Sequence, residues 1–452
     1  MRESTDHSAD HGPVKARPAA ARRRLAVIAA AGVLLAAAAP AAQAAGAVAK
    51  HSGGGGAAGG GKVAVGFFTQ WGIYSGFLEK NLVADGAAGR LTEINYAFSS
   101  VSAAGLCTSG DSWADYQRPF AATESVSGAA DVAGQALAGN FNQLKELKAQ
   151  YPGLKIVMSI GGWSWSNQFS ALAASASGRQ KFVQSCVDQY INGNIPGLPA
   201  GAAKGIFDGI DLDWEYPNEP GNNNPYGPQD TVDFTKLADQ FRDALDTAGK
   251  QSGEHYLLTA DTSPNQYAAA QQLQLKKVAR DLDWFNLMTV DFHGGWDPIT
   301  DFAANLFPDP NDPQPANGKF SITQSVAYYE HNGVPADKIA LELPYYAHAW
   351  KGVAATNNGL YQSVSGAAST DQAGYGTVVG EPGTVHFDPV TGAIWKYDPA
   401  SQTFWTYDDP ATVFAKGLYV DAAGLRGASV WSLDGDDASG SLTAALTSAL
   451  HG

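Results

Sequence analysis

Cysteine is nearly absent from this chain: two in 452 residues, Cys107 and Cys186. With no histidines at matching spacing they do not make a structural zinc site. They are a candidate disulfide in an oxidising compartment, although sequence alone does not bring them within bonding distance. Positive charge is also scarce, with 29 Lys and Arg against 44 Asp and Glu, a net charge of −15. Such a chain is repelled by nucleic acid, so that partner class is excluded. Acidity suits a neutral or cationic polymer, and it suits solubility alone equally well. Long apolar runs are missing except near the start, where residues 25–39 form a run of 15. About 20 are needed to span a bilayer.

That run follows Arg22, Arg23 and Arg24 and precedes Ala42-Gln43-Ala44, a small-residue cleavage site. Residues 1–44 therefore read as a signal peptide, and the mature chain is expected to be secreted and extracellular, free of membrane once cleaved. The segment holds more basic than acidic side chains, so its loss leaves the remainder more acidic. Residues 45–61 read as a linker, nearly all Gly and Ala from Ser52 on. Residues 62–452 are expected to form one folded region, working as a monomer.

What is present points to a large folded core: 44% hydrophobic residues, with 11 Trp, 18 Tyr and 19 Phe. Strand-like stretches at 63–69, 93–98, 155–160, 207–213, 256–261, 285–290, 339–343 and 428–431 alternate with helical ones. Phe234, Leu237, Phe241 and Leu245 recur at three or four residues, one buried helical stripe. Asn140 is a candidate N-cap for a helix over 141–150. Strands joined by helical crossovers imply an α/β fold with a parallel sheet. Residues 307–318 form a Pro-rich surface loop. Three short strand-like pieces fall within 351–405.

The densest chemical signal is Asp208-Gly209-Ile210-Asp211-Leu212-Asp213-Trp214-Glu215-Tyr216-Pro217. Four carboxylates interrupt a strand-like apolar stretch. Strand alternation aims Asp211, Asp213 and Glu215 the same way, with neighbours roughly 6–7 Å apart at the backbone. Charges that close cannot all ionise freely, so at least one pKa should rise. A proton held near neutral pH is what a general acid needs. A calcium loop would place its oxygens on a polar, flexible segment, and the interleaved Ile, Leu and Trp argue against that. The small cluster Asp434, Asp436 and Asp437 reads as a solvated turn.

These residues resemble the Asp-x-x-Asp-x-Asp-x-Glu signature of family 18 glycoside hydrolases, the chitinases. Ser159-Ile160-Gly161-Gly162-Trp163 is similar to the family's third-strand segment, Met288-Thr289-Val290-Asp291-Phe292 to its sixth, and Trp431 to its eighth-strand tryptophan. The resemblance runs from about Lys62 to the C-terminus. It implies a (β/α)8 TIM barrel with a small α+β insertion between strands seven and eight, at 351–405. It implies a retaining, substrate-assisted hydrolysis of chitin or N-acetylglucosamine oligomers, with no cofactor and no metal. Glu215 would be the acid, Asp213 would orient the acetamido group, and Asp211 would share its proton. Asp208, Ser159 and Asp291 would support them. Trp71, Trp163, Trp165, Tyr216, Met288, Phe292, Trp296, Tyr346 and Trp431 would bind sugar rings. His293, beside Asp291, reads as a structural histidine.

The chain departs from that pattern. Val290 and Phe67 stand where tyrosines are usual, and Glu342, Ala347 and His348 replace other residues of the strand-seven segment. Two other activities share the frame: an endo-β-N-acetylglucosaminidase acting on N-glycans, and a chitin-binding lectin with weak or no activity.

Overall fold

Eight parallel strands close on themselves. The computed structural model describes residues 61–451; the expected signal peptide, and the linker apart from Gly61, lie outside them. The strands are β1 (Val63–Thr69), β2 (Glu93–Val101), β3 (Cys107–Ser109), β4 (Lys155–Gly161), β5 (Gly209–Asp213), β6 (Leu257–Thr262), β7 (Trp284–Leu287), β8 (Ile339–Pro344), β9 (His348–Lys351), β10 (Gly366–Ala367), β11 (Thr384–Asp388), β12 (Ala393–Asp398), β13 (Thr403–Tyr407) and β14 (Gly427–Trp431). In the main sheet the order is β1-β14-β8-β7-β6-β5-β4-β2, and β1 pairs with β2 to complete the ring. The architecture is a (β/α)8 barrel. Its strands are buried along nearly their whole length, which is why they read as continuous apolar runs.

Helices cover the outside. In Asp230–Ser252 the stripe Phe234, Leu237, Phe241 and Leu245 is buried, as its spacing predicts. Asp230 and Asp233 lie in its first turn and Lys250 in its last, each sign matched to the helix dipole. Two local expectations need correction. Asn140 is not the N-cap: the helix is Gly139–Gln150 with Ala138 at that place. Asn140 is buried, and its amide instead donates to the Gln70 carbonyl at 3.1 Å and to the Tyr96 hydroxyl at 2.9 Å. The strand expected at 285–290 is Trp284–Leu287, one residue earlier at its start and three shorter at its end; Asp291, four residues further on, has φ +53°.

β3 extends the upper end of β2 in antiparallel fashion. It carries Cys107, which is bonded to Cys186 at the end of helix Ala176–Cys186. The bridge closes a loop of 79 residues. In the chain-entropy picture such a loop stabilises by about 4.5 kcal/mol. Replacing both cysteines by alanine should lower the unfolding free energy by about 2–5 kcal/mol, read from the urea midpoint.

Between β8 and β14 the chain builds a second, five-stranded sheet, order β10-β9-β13-β12-β11, antiparallel throughout. Phe302, Trp350, Leu360, Trp395, Tyr397 and Phe404 belong to a hydrophobic cluster of its own. β9 starts four residues after the end of β8, so this sheet is held directly beside the C-terminal rim of the barrel. In barrels of this kind that rim carries the functional loops.

Candidate active site

β5 places the carboxylates. Its register sets Ser159 opposite Asp211 and Gly161 opposite Asp213. Gly161 has φ +115°, and a Cβ there would stand 2.2 Å from the Asp213 carbonyl oxygen, so the close approach of β4 requires glycine. Asp208 lies just before the strand. Its carboxylate accepts from the Ile156 N–H at 2.8 Å and from Lys148 at 2.6 Å, well away from the rim. β5 therefore begins at Gly209, two residues later than its apolar pattern suggests.

Asp211 is fully buried. It accepts from Ser159 at 2.7 Å, Thr259 at 2.5 Å and Asn286 at 3.3 Å. Asp213 is 4% exposed, and its Oδ1 has no hydrogen-bond partner. Burial, then the charges of Glu215, Asp211 and Glu342, push its pKa well above the carboxylate range. Glu215 lies two residues past the strand end. Burial pushes its carboxyl up to about 7, opposed by a hydrogen bond from Tyr216 and helped by the charge of Asp291. Its backbone is fixed by Ser166, which accepts its N–H at 3.0 Å, and by Asn224, which donates to its carbonyl at 3.0 Å. The expected rise in pKa thus falls on the two carboxyls nearest the rim.

Above them opens a cleft of about 1460 Å³, larger than the pocket of a single small ligand. Trp431, at the end of β14, lines it. The indole is stacked on Phe98 at 5.5 Å and tilted against Phe67 at 5.3 Å. Met288 and half-buried Trp165 line the same space. Trp71, Trp163 and Trp296 line it too and are 43%, 50% and 61% exposed, so their faces are free for a ligand. Phe292 is different. It is stacked on Phe320 at 5.8 Å and only 6% exposed, so it is wall rather than an open platform. From the Pro-rich loop, Gln314 and Gly318 border the cleft.

Asp291 is held from β9 and the short connection that precedes it. Its Oδ1 accepts from the Tyr346 hydroxyl and lies 2.7 Å from His348 Nε2, whose Nδ1 is 2.9 Å from Asp371. Burial opposes charge on His348, but the bonds to Asp291 and Asp371 outweigh it and lift its pKa to about 9. An imidazolium clamped between two carboxylates fixes Asp291 while leaving its side chain 47% exposed. His293, beside it, lies 3.1 Å from Asp297, a satisfied histidine.

Two further carboxyls share the barrel interior. Asp261 on β6 and Glu342 on β8 are buried and line the cleft beside Val290 and Phe67. Motif spacing marks Glu342 and His348 only as departures, and does not mark Asp261 or Asp371. A lone carboxylate within the apolar stretch Leu257-Leu258-Thr259-Ala260-Asp261 is the available signal for Asp261. Among the described residues no group of His, Cys, Asp and Glu is arranged to hold a metal ion, and no helix is long and apolar enough to cross a membrane.

Residues 63–436 match the family described as "Glycosyl hydrolases family 18". The chain is 36% identical to chitinase C of Streptomyces lividans over 84% of its own length and 58% of that protein's. It is 32% identical to chitinase A1 of Niallia circulans, over 82% of the chain and 56% of that protein. It thus spans somewhat over half the length of these relatives. Among solved structures, the catalytic domain of psychrophilic chitinase B from Arthrobacter TAD20 superposes with a TM-score of 0.82 at 36% identity, covering 86% of this chain and 95% of that one. A match over residues 63–436, which include the whole barrel and the four-carboxylate segment 208–215, settles the assignment: the chain belongs to glycosyl hydrolase family 18.

Proposed function

We propose that this chain is a secreted chitinase that hydrolyses β-1,4 bonds between N-acetylglucosamine units with retention of configuration. One observation carries the reading. A carboxyl with its pKa raised to about 7, Glu215, lies beside a buried second carboxyl, Asp213, in a cleft lined by indole rings. A neutral glutamic acid protonates the glycosidic oxygen. The acetamido oxygen of the same sugar attacks the anomeric carbon, giving an oxazolinium ion. Asp213 passes its proton to Asp211, accepts from the acetamido N–H and, now ionised, balances the developing positive charge. Glu215, now ionised, takes a proton from the water that opens the ring. No carboxylate nucleophile is needed, so the separation of two carboxylates does not set the stereochemistry.

The cleft's size and its exposed tryptophans favour an oligomer over a single sugar, since sugar C–H faces pack on aromatic rings. The relatives' names support chitin as that oligomer. The N-terminal charge and apolar pattern supports export. Chitin pentamer is the test. Its freshly released reducing ends should be the β-anomer by proton NMR, while the glucose-only pentamer should stay intact. Release of the α-anomer, or equal cleavage of both oligomers, overturns the substrate-assisted reading.

A further inference from the structure

One carboxylate outside the catalytic strand ties two cleft tryptophans to the barrel. Asp115 is 2% exposed and lies on a single π-helical turn, Trp113–Gln117, closed by the Arg118 N–H on the Trp113 carbonyl at 2.8 Å. Such turns are rare and recur at functional sites. Three side chains from three segments donate to Asp115. Gln70 Nε2, in the loop after β1, reaches Oδ1 at 2.5 Å. The Tyr96 hydroxyl, on β2, reaches the same oxygen at 2.6 Å. The Ser109 hydroxyl, at the end of β3, reaches Oδ2 at 2.5 Å. Three donors on one carboxyl mark it as an ionised acceptor. Burial lifts its pKa to about 6 against those bonds, which leaves it ionised at neutral pH.

Two of the three segments lead directly to the cleft. Gln70 precedes Trp71 and is held at three points: its N–H donates to the Ala97 carbonyl at 2.7 Å, its carbonyl accepts from Asn140 at 3.1 Å, and its amide is on Asp115. Trp71 is thereby held 6.1 Å from Phe98 and 6.3 Å from Trp431, with 43% of it open. Ser109 precedes Gly110, which lies against the Trp165 indole: a Cβ there would stand 1.9 Å from Trp165 Cη2. Trp165 packs in turn on the cluster of Phe67, Ala97 and Phe98. The start of β3 is clamped separately. Cys107 is bonded to Cys186, its N–H donates to Ser185 at 2.9 Å, and its carbonyl accepts from Gln189 at 2.7 Å. Asp115 grips the other end of the strand, the end that meets Trp165.

We infer that Asp115 is a positioning residue: by holding the Trp71 loop and the end of β3 together, it sets the spacing of Trp71 and Trp165, and with it the grip of the cleft on sugars away from the bond that is cut. The inference rests on the reading of the cleft as a site for chitin oligomers. Asp115 lies behind the cleft wall and not in it, so it acts on binding through the two indoles and leaves the chemistry at Glu215 alone.

The test removes the bonds one at a time, because Asp115→Ala strands three buried donors at once and endangers the fold. Gln70→Met frees the Trp71 loop, and Ser109→Ala frees the end of β3. In each, KM for chitin pentamer should rise about fivefold, the factor that one hydrogen bond is worth, with kcat within twofold of wild type. The rise should be larger for the pentamer than for the trimer. Asp115→Asn is the conservative rescue. Its amide oxygen still accepts from Gln70 and Tyr96, and its NH₂ donates to the Ser109 oxygen, so KM should stay within twofold. Wild-type KM in both single-bond variants overturns the inference. So does a fall in kcat with KM unmoved, or an Asp115→Asn variant whose KM rises as far as theirs. A general loss of stability would lower the melting temperature without this split between KM and kcat. These outcomes are separable from the enzyme reading, which fails instead if the wild type shows no cleavage that depends on Glu215.

Discussion

Glu215→Gln should lower kcat on chitin oligomers by about 10²–10⁴-fold, the range for loss of a positioned general acid–base group. The substitution keeps the side chain's volume and its place near Tyr216, so binding should survive and KM should change little. The pH profile offers a second reading of the same group. With the carboxyl pushed up to about 7 by burial, the protonated acid is the main form below that value and declines above it. The wild-type rate should therefore fall on the alkaline side, with a limb near 7, and the residual rate of the variant should lack that limb. Coupled carboxyls titrate as a group, so the limb belongs to the Glu215–Asp213 assembly rather than to one side chain. A variant that keeps its turnover would remove Glu215 from the chemistry altogether.

The carboxylate strand is legible in sequence because its information is local. Asp211, Asp213 and Glu215 are spaced by two, and strand alternation alone puts them on one side. The helical stripe of Phe234, Leu237, Phe241 and Leu245 is legible for the same reason. What is not legible is anything set by registers between distant strands. Asp261 looks like a stray acid until β6 is laid against β5 and Thr259 is found opposite Asp211. His348 looks like a substitution until β9 carries it to Asp291, 57 residues away. Asn140 has the composition of a cap, yet two buried acceptors, a Gln70 carbonyl and the Tyr96 hydroxyl, claim its amide more strongly than a helix end does. Counting eight strands likewise depended on resemblance, since β7 has only four residues and little pattern to show.

Asp213 is where activity and stability should part. Asp213→Ala should cost about 10²–10³-fold in kcat, because the acetamido N–H loses its partner and the developing cation loses its counter-charge. Asp213→Asn separates the two effects: an amide oxygen still accepts from the substrate, so KM should hold while kcat falls. Stability should move the other way. In the native state the pKa of Asp213 is well above its ordinary value near 4, so the native protein holds a proton that the unfolded chain gives up. Under that condition the free energy of unfolding falls as pH rises past the ordinary value. Asparagine carries no such proton. The variant should therefore melt higher than wild type at neutral and alkaline pH, with the gain vanishing below pH about 4. Melting curves at several pH values read the stability arm, and steady-state kinetics on chitin oligomers read the other. An Asp213→Asn variant with full kcat would leave the acetamide without its proposed electrostatic partner. One with no pH-dependent gain in melting temperature would mean that Asp213 is not the costly buried acid its surroundings make it, because a group that is comfortable in the fold has nothing to relieve.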